Sequence, residues 1–205
     1  MSIVGVLDSG ISNIRSVTNA LAAIGIEHRR VVTPTDLEVC SHLILPGDGT
    51  FHAGMECLHR SGLSDALLLA AEQGKYILGI CLGMQLLAQG GVEFGACPGL
   101  GLIPGHVTRL DPADPMYPVP QIGWNRVHFS GQARLTQGLG ESGIYYFMHS
   151  YAYSDPNASY VSATFDYGGD VVAMIEHETI FGVQFHPEKS QQAGLKLLTR
   201  FAEFK

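Results

Sequence analysis

The chain predicts an α/β fold: a central mixed, mostly parallel sheet flanked by helices, with an antiparallel extension supplied by the second half. Three observations predict it. Up to about residue 90, short apolar runs alternate with segments of helical period, the pattern of a sheet covered on both faces. One apolar run, Tyr76-Ile77-Leu78, breaks at a cysteine with glycines two residues to either side. From Leu102 to Glu176 the chain then reads as strands and turns with little helical period. At 205 residues, 46% apolar and 15% charged, it fits one domain spanning 1–205 with a sizeable core.

The elements follow in order. Ile3 to Leu7 is a short, mostly β-branched run that reads as a buried parallel strand. Ser12 or Asn13 caps a helix whose apolar face is Val17, Ala20, Leu21 and Ile24, and Gly25 ends it. Ile26 to Val32 and His42 to Leu45 read as the next strands, the latter running into Pro46-Gly47-Asp48-Gly49. Ser64 to Gln73 is helical in composition and precedes the strand that ends at Ile80. In the second half the strands are Gly105–Leu110, Ile122–Phe129, Ile144–Tyr153, Tyr160–Phe165 and Val171–Ile175, with Ile180–Phe185 returning to the core. Ser190 caps a last helix with Ala193, Leu197, Leu198 and Phe201 on one face.

Composition excludes several classes. A formal charge of -7, with Arg29-Arg30 only a pair, argues against nucleic acid as partner, because phosphate backbones require clustered cations. No stretch approaches the roughly 20 apolar residues that span a bilayer, and the N-terminus lacks a signal-peptide pattern. Cys40, Cys57, Cys81 and Cys97 stand far apart with no Cys-x-x-Cys, so no zinc site or disulfide framework is indicated, and the expected compartment is the cytoplasm. Neither a phosphate-binding loop nor a dinucleotide fingerprint occurs, and no cofactor or metal is expected.

The chemistry centres on Gly79-Ile80-Cys81-Leu82-Gly83. A nucleophile at the apex of a tight strand-to-helix turn needs glycine on both flanks, and this is the thiol counterpart of the Gly-x-Ser-x-Gly elbow. The helix that begins at Leu82 turns its amides and positive end towards the sulfur, favouring thiolate. More than a hundred residues later, His186 and Glu188 stand two apart at a strand end, so their side chains leave on one side. Cys81 is the expected nucleophile, His186 the base and then acid, and Glu188 the acceptor that orients it. The backbone N–H of Leu82 and the loop Gly47-Asp48-Gly49 are the candidate oxyanion donors. Taken alone, a Pro-Gly-x-Gly turn is an ordinary turn.

The elbow, this loop and the His-x-Glu end resemble the triad, or class I, glutamine amidotransferases. Asp8-x-Gly-x-x-Asn13-x-x-Ser16, Pro120-Gln121-Ile122-Gly123-Trp124-Asn125, Tyr146-Phe147-Met148-His149-Ser150-Tyr151 and Gly182 to Ser190 further resemble the glutaminase subunits of imidazole glycerol phosphate synthase, from first strand to last helix. The resemblance implies a single type-1 glutamine amidotransferase domain that hydrolyses L-glutamine through a γ-glutamyl thioester on Cys81. It implies substrate contacts from Gln85, Glu93 and the backbone around Ser150 and Tyr151. It also implies a (β/α)8 cyclase partner that receives the ammonia and makes imidazole glycerol phosphate and the aminoimidazole carboxamide ribotide in histidine biosynthesis. Gln121, Trp124, Asn125 and Lys189 are then expected at the interface, although Trp124 read alone also suits a core aromatic. The free subunit is expected to be nearly inactive.

Two residues depart from the family pattern: Asp48, where an aliphatic residue is usual, and Gln121, where histidine is common. A paralogous subunit feeding another synthase, a stand-alone γ-glutamyl hydrolase and a non-enzymatic module remain as alternatives.

Overall fold

The computed structural model describes residues 2–10, 12–112 and 114–205. The chain opens with strand β1 (Val4–Leu7), helix α1 (Ile14–Ala23), strand β2 (His28–Val31), a 3-10 turn at Pro34–Leu37 and strand β3 (His42–Gly47). Helices α2 (Phe51–Arg60) and α3 (Leu63–Glu72) lead to β4 (Tyr76–Cys81) and the five-residue α4 (Leu82–Leu86). The second half supplies β5 (Gly90–Gly91), β6 (Cys97–Pro98), β7 (His106–Arg109), β8 (Gln121–Phe129), β9 (Ser142–His149) and β10 (Tyr151–Tyr153). Strands β11 (Val161–Asp166), β12 (Asp170–His177) and β13 (Ile180–Val183) follow, then a 3-10 turn at Pro187–Lys189 and helix α5 (Gln191–Ala202).

One nine-stranded sheet runs β2-β1-β3-β4-β13-β12-β11-β8-β9. Its first five strands pair in parallel; from β13 to β9 every pairing is antiparallel. In the parallel half both faces are covered, which is why these strands read as continuous apolar runs rather than alternating ones. Leu43, Leu45 and Ile77 pack with Phe51, Met55, Leu58 and Leu67 of α2 and α3. Their neighbours Ile44, Leu78 and Ile80 turn the other way, onto Val17 and Leu21 of α1 and Leu197 and Phe201 of α5. Leu197, Leu198 and Phe201 are fully buried, worth about 6 kcal/mol of transfer free energy together, comparable with the net stability of a whole domain.

The structure adds or redraws several elements. Helix α2 has weak helical composition, with Gly54 at its middle, and no helix is predicted there from sequence. A β-carbon at Gly54 would lie 2.9 Å from Leu86 Cδ1, so the glycine that lowers helix propensity is what lets α2 pack onto α4. The expected strand Ile144–Tyr153 divides at Ser150: β9 stays in the main sheet, and β10 joins a second sheet ordered β10-β7-β5-β6. Strand β7 belongs there as well, not to the antiparallel extension. Ser190 and Asn13 hold the expected N-cap positions of α5 and α1, but neither makes a side-chain cap bond. The Asn13 N–H instead donates to Asp48 Oδ2 at 3.1 Å. Ser190 spends its hydroxyl on the backbone beside His186, as described below.

Candidate active site

The parallel register brings the chemistry to one edge. Gly47 at the end of β3 pairs with Cys81 at the end of β4, and Val183, one residue before Gln184, pairs with Ile80. Three neighbouring parallel strands thus end together, the place where open α/β sheets bind ligands.

The elbow is as tight as the glycine spacing implies. Cys81 has φ 53° and ψ -112°, a region that non-glycine residues rarely occupy and that persists only where the surroundings hold it. A β-carbon at Gly79 would come within 2.6 Å of Gly83 O and Met84 Cα, and one at Gly83 would overlap the carbonyl oxygen of Leu45. Leu82 is the first residue of α4, so its N–H has no acceptor within that helix. Gly47 is pressed against Gly83 N, where a β-carbon would stand at 2.9 Å, while Gly49 has φ +98°.

His186 is buried, and its Nδ1 lies 2.8 Å from Glu188 Oε1. This bond fixes Nδ1 as the donor and leaves Nε2, buried and without a hydrogen-bond partner, for proton transfer. Burial alone would push the imidazolium down. The adjoining Cys81 sulfur and the Glu188 carboxylate favour the charged ring and lift it to about 10. The loop that carries His186 is pinned to β9. His186 N donates to Tyr146 O at 2.9 Å, and Ser190 Oγ accepts from Tyr146 N at 3.0 Å and donates to His186 O at 2.6 Å.

In front of Cys81 lies a cavity of about 220 Å³ that collects Asp48, Gly49, Leu82, Gln85, Glu93, Ser150 and Tyr151. A larger cleft, of about 890 Å³, opens around Tyr76 and Phe204 and shares no residue with it. Gln85 is buried rather than solvent-facing, and its Nε2 donates to Tyr151 O at 2.8 Å. Glu93 Oε2 accepts from Phe51 N at 2.7 Å, so the carboxylate sits at the N-terminus of α2, where negative charge is favoured. The Asp48 carboxylate accepts from Asn13 N at 3.1 Å through Oδ2.

On the outward face of β8 and β9 the cross-strand pairs Ile122–Met148, Trp124–Tyr146 and Arg126–Ile144 form an exposed ladder. Trp124 is 46% exposed and packs edge-on to Tyr146, which excludes a core role. Asn125 is half-buried and donates through Nδ2 to Asp166 O at 3.1 Å. Lys189 is half-buried in the turn after Glu188.

Gln121 is a correction. It pairs with His149 on the inward face, is 1% exposed and presents nothing to a partner. His149 is buried, and burial first, helped by the charge of His186, pushes its ring down to about 4, so it is neutral at pH 7. It donates through Nδ1 to Tyr151 O at 2.9 Å, and Nε2 lies 2.7 Å from the Gln121 amide. A neutral ring that donates through Nδ1 accepts through Nε2. Hydrogen bonding therefore requires Gln121 to turn its NH2, rather than Oε1, towards the ring; with Oε1 inward, Gln121 Nε2 is buried without a partner.

The model of the family "Glutamine amidotransferase class-I" matches residues 5–203. The chain is 44% identical over 204 residues to "Imidazole glycerol phosphate synthase subunit HisH" of Streptococcus gordonii, covering 100% of this chain and 96% of that one. It is a class-I glutamine amidotransferase of the HisH family. The amidotransferase is also 41% identical to "Imidazole glycerol phosphate synthase hisHF, chloroplastic" of Arabidopsis thaliana, over 98% of its own length but 34% of that protein's. Its fold matches a solved structure described as a glutamine amidotransferase, with a TM-score of 0.77 at 24% identity, covering 98% and 97% of the two chains. Two residues of the site, His149 and Gln184, lie inside the resembling segments but receive no role there. Both are buried polar residues with apolar neighbours on the chain, and that is the signal that points to them.

Proposed function

We propose that this chain is the glutaminase subunit of an imidazole glycerol phosphate synthase, with Cys81, His186 and Glu188 as its triad. The observation that carries the reading is one cavity that joins Cys81 to Gln85 and Glu93, with the His186–Glu188 pair at 2.8 Å buried behind the sulfur. The Cys81 sulfur attacks the carboxamide carbon of L-glutamine, and the oxyanion is received by the Leu82 N–H and an N–H of the Gly47–Gly49 loop. The C–N bond breaks as His186 gives its proton to the departing ammonia, leaving a γ-glutamyl thioester. Water, losing a proton to His186, then releases glutamate. Glu93 receives the substrate α-amino group, a role supported by its place in the same cavity with one oxygen held by Phe51 N.

The ammonia goes to a (β/α)8 cyclase. The exposed ladder of Ile122, Trp124, Ile144 and Met148 is the docking face we assign, and it is apolar enough to serve as the core of an interface. The Met148 carbonyl lies 3.7 Å from Cys81 Sγ while its side chain is on the outer face, so a single strand separates the nucleophile from the partner. The Arabidopsis relative, whose remaining length this chain does not match and whose name joins H and F, supports such a pairing. We take residues 1–205 as one amidotransferase domain. Four free cysteines fit a cytoplasmic enzyme, and among the described residues no helix is long and apolar enough to cross a membrane.

The test mixes the chain with the matching cyclase and glutamine, and measures glutamate with and without the cyclase's nucleotide ligand. Strong activation by the loaded cyclase is the expected result. High turnover by the isolated chain, or none in the loaded complex, would sink the proposal.

A further inference from the structure

We propose that Gln184 is a further catalytic residue: its side-chain amide N–H steadies the Cys81 sulfur as an anion while its carbonyl holds Gln85 in the substrate cavity. This deepens the proposed function and rests on Cys81 being the nucleophile.

Gln184 follows β13 and is 0% exposed. Its backbone N–H donates to Ala173 O at 2.8 Å, so its side chain is what it offers the site. Nε2 stands 3.8 Å from Cys81 Sγ, and Oε1 accepts from Gln85 Nε2 at 3.1 Å. A fully buried glutamine between Val183 and Phe185 costs several kcal/mol to desolvate unless its polar ends are matched. Here the two ends meet a sulfur and a second buried amide, both in the cavity wall.

The sulfur has two kinds of neighbour. The Met148 carbonyl oxygen, at 3.7 Å, accepts from a thiol and opposes a thiolate. The Gln184 NH2 does the reverse, since a donor becomes worth more as its acceptor gains charge. The titratable groups around the sulfur are His186, with Glu188 behind it, and Asp48, Glu93, His149 and Tyr151, which line the same cavity; a substitution at Gln184 removes none of them. Gln184 is therefore the uncharged donor that tips the sulfur towards its reactive form when the Met148 carbonyl would hold the proton. Its Oε1 does a second job: Gln85 Nε2 is shared between Gln184 and Tyr151 O, so the substrate-side amide cannot rotate without breaking two bonds.

The experiment is alkylation of the full chain with iodoacetamide at pH 6 and pH 9, with the Cys81 adduct followed by peptide mass, for wild type, Gln184→Met and Gln184→Glu. For Gln184→Met the expected rate at pH 6 is about tenfold below wild type, with the pH 9 rate within about twofold. Gln184→Glu, nearly isosteric but anionic, falls further at pH 6 and carries the comparison should the methionine variant not fold. Wild-type rates at pH 6 in the variants overturn the proposal, as does an equal loss at both pH values, the mark of simple displacement. If wild-type Cys81 reacts no faster at pH 6 than the half-buried Cys97, the nucleophile reading itself fails, and this inference with it.

Discussion

Consider lowering the pH from 7 to 4.5 in a protein that keeps His149 buried and neutral. In the unfolded chain this histidine titrates near 6.5, whereas in the fold burial holds it near 4. Between those values the unfolded state binds a proton that the folded state refuses, so stability rises with pH across this window and is lost as pH falls through it. The full interval corresponds to about 3 kcal/mol, of which about 2 kcal/mol is gone by pH 4.5. His186 adds nothing to this slope, because its ring is raised to about 10 and is charged in both states below 6.5; its own contribution is lost instead as pH climbs towards 10. His42, also pushed down by burial, works in the same sense as His149, and the upward-shifted Glu176 in the opposite one. A comparison with His149→Gln cancels both, since the amide keeps a donor and an acceptor between Gln121 and Tyr151 O but does not titrate. Urea unfolding at pH 7, 6, 5 and 4.5 is the assay. The wild type should lose about 2 kcal/mol more than the variant over that range. Parallel curves would refute the argument that a neutral ring is locked between these two partners.

Glu188→Gln should keep the fold, leave His186 Nδ1 a weaker partner and lower kcat of the loaded complex by about a hundredfold or more, with KM little changed; a wild-type kcat would remove Glu188 from the triad. Gly83→Ala drives a β-carbon into Leu45 O and should cost about 3 kcal/mol or prevent folding, measured by urea unfolding, and a variant as stable as wild type would contradict the elbow geometry. Trp124→Ala should weaken cyclase binding by about thirtyfold while changing the stability of the free chain by less than about 1 kcal/mol, because the ring is 46% exposed; unchanged affinity and activation would dismiss the docking face.

What could be read in advance from this chain and what could not divide along a physical line. The elbow was legible because its constraint is local: φ 53° at Cys81 and the contacts at Gly79 and Gly83 arise within a few residues, or against one adjacent strand, and only glycine satisfies them. His186 and Glu188 were legible for a similar reason, since a period of two places them together whatever the rest of the fold does. Helix α2 was not, because the residue that weakens its propensity, Gly54, is explained only by Leu86 on a helix about thirty residues later. The division at Ser150 was equally hidden. Tyr145 to Tyr153 is aromatic on both sides of His149-Ser150, and those two polar residues do not by themselves say that β10 leaves for a second sheet.

That division is also where the site acquires its inner wall. By leaving the main sheet at Ser150, the chain frees the Tyr151 carbonyl from ladder pairing with β8 and exposes it to two donors at once, Gln85 Nε2 and His149 Nδ1. His149 is held in turn by Gln121, whose amide lies 2.7 Å from Nε2. Two histidines facing each other there would need complementary tautomers, whereas a glutamine supplies the donor that a neutral ring requires. Burial keeps His149 uncharged beside the charged His186, and Gln121 ties β8 to that ring at the cavity in front of Cys81. The exposed row of the same strand that we propose as the docking face, Ile122 and Trp124, is one residue away on the other face. If the proposed cyclase docks on that row, it bears on a strand whose inner side chain holds the ring that holds the Tyr151 carbonyl, and docking and glutamine positioning would share one element.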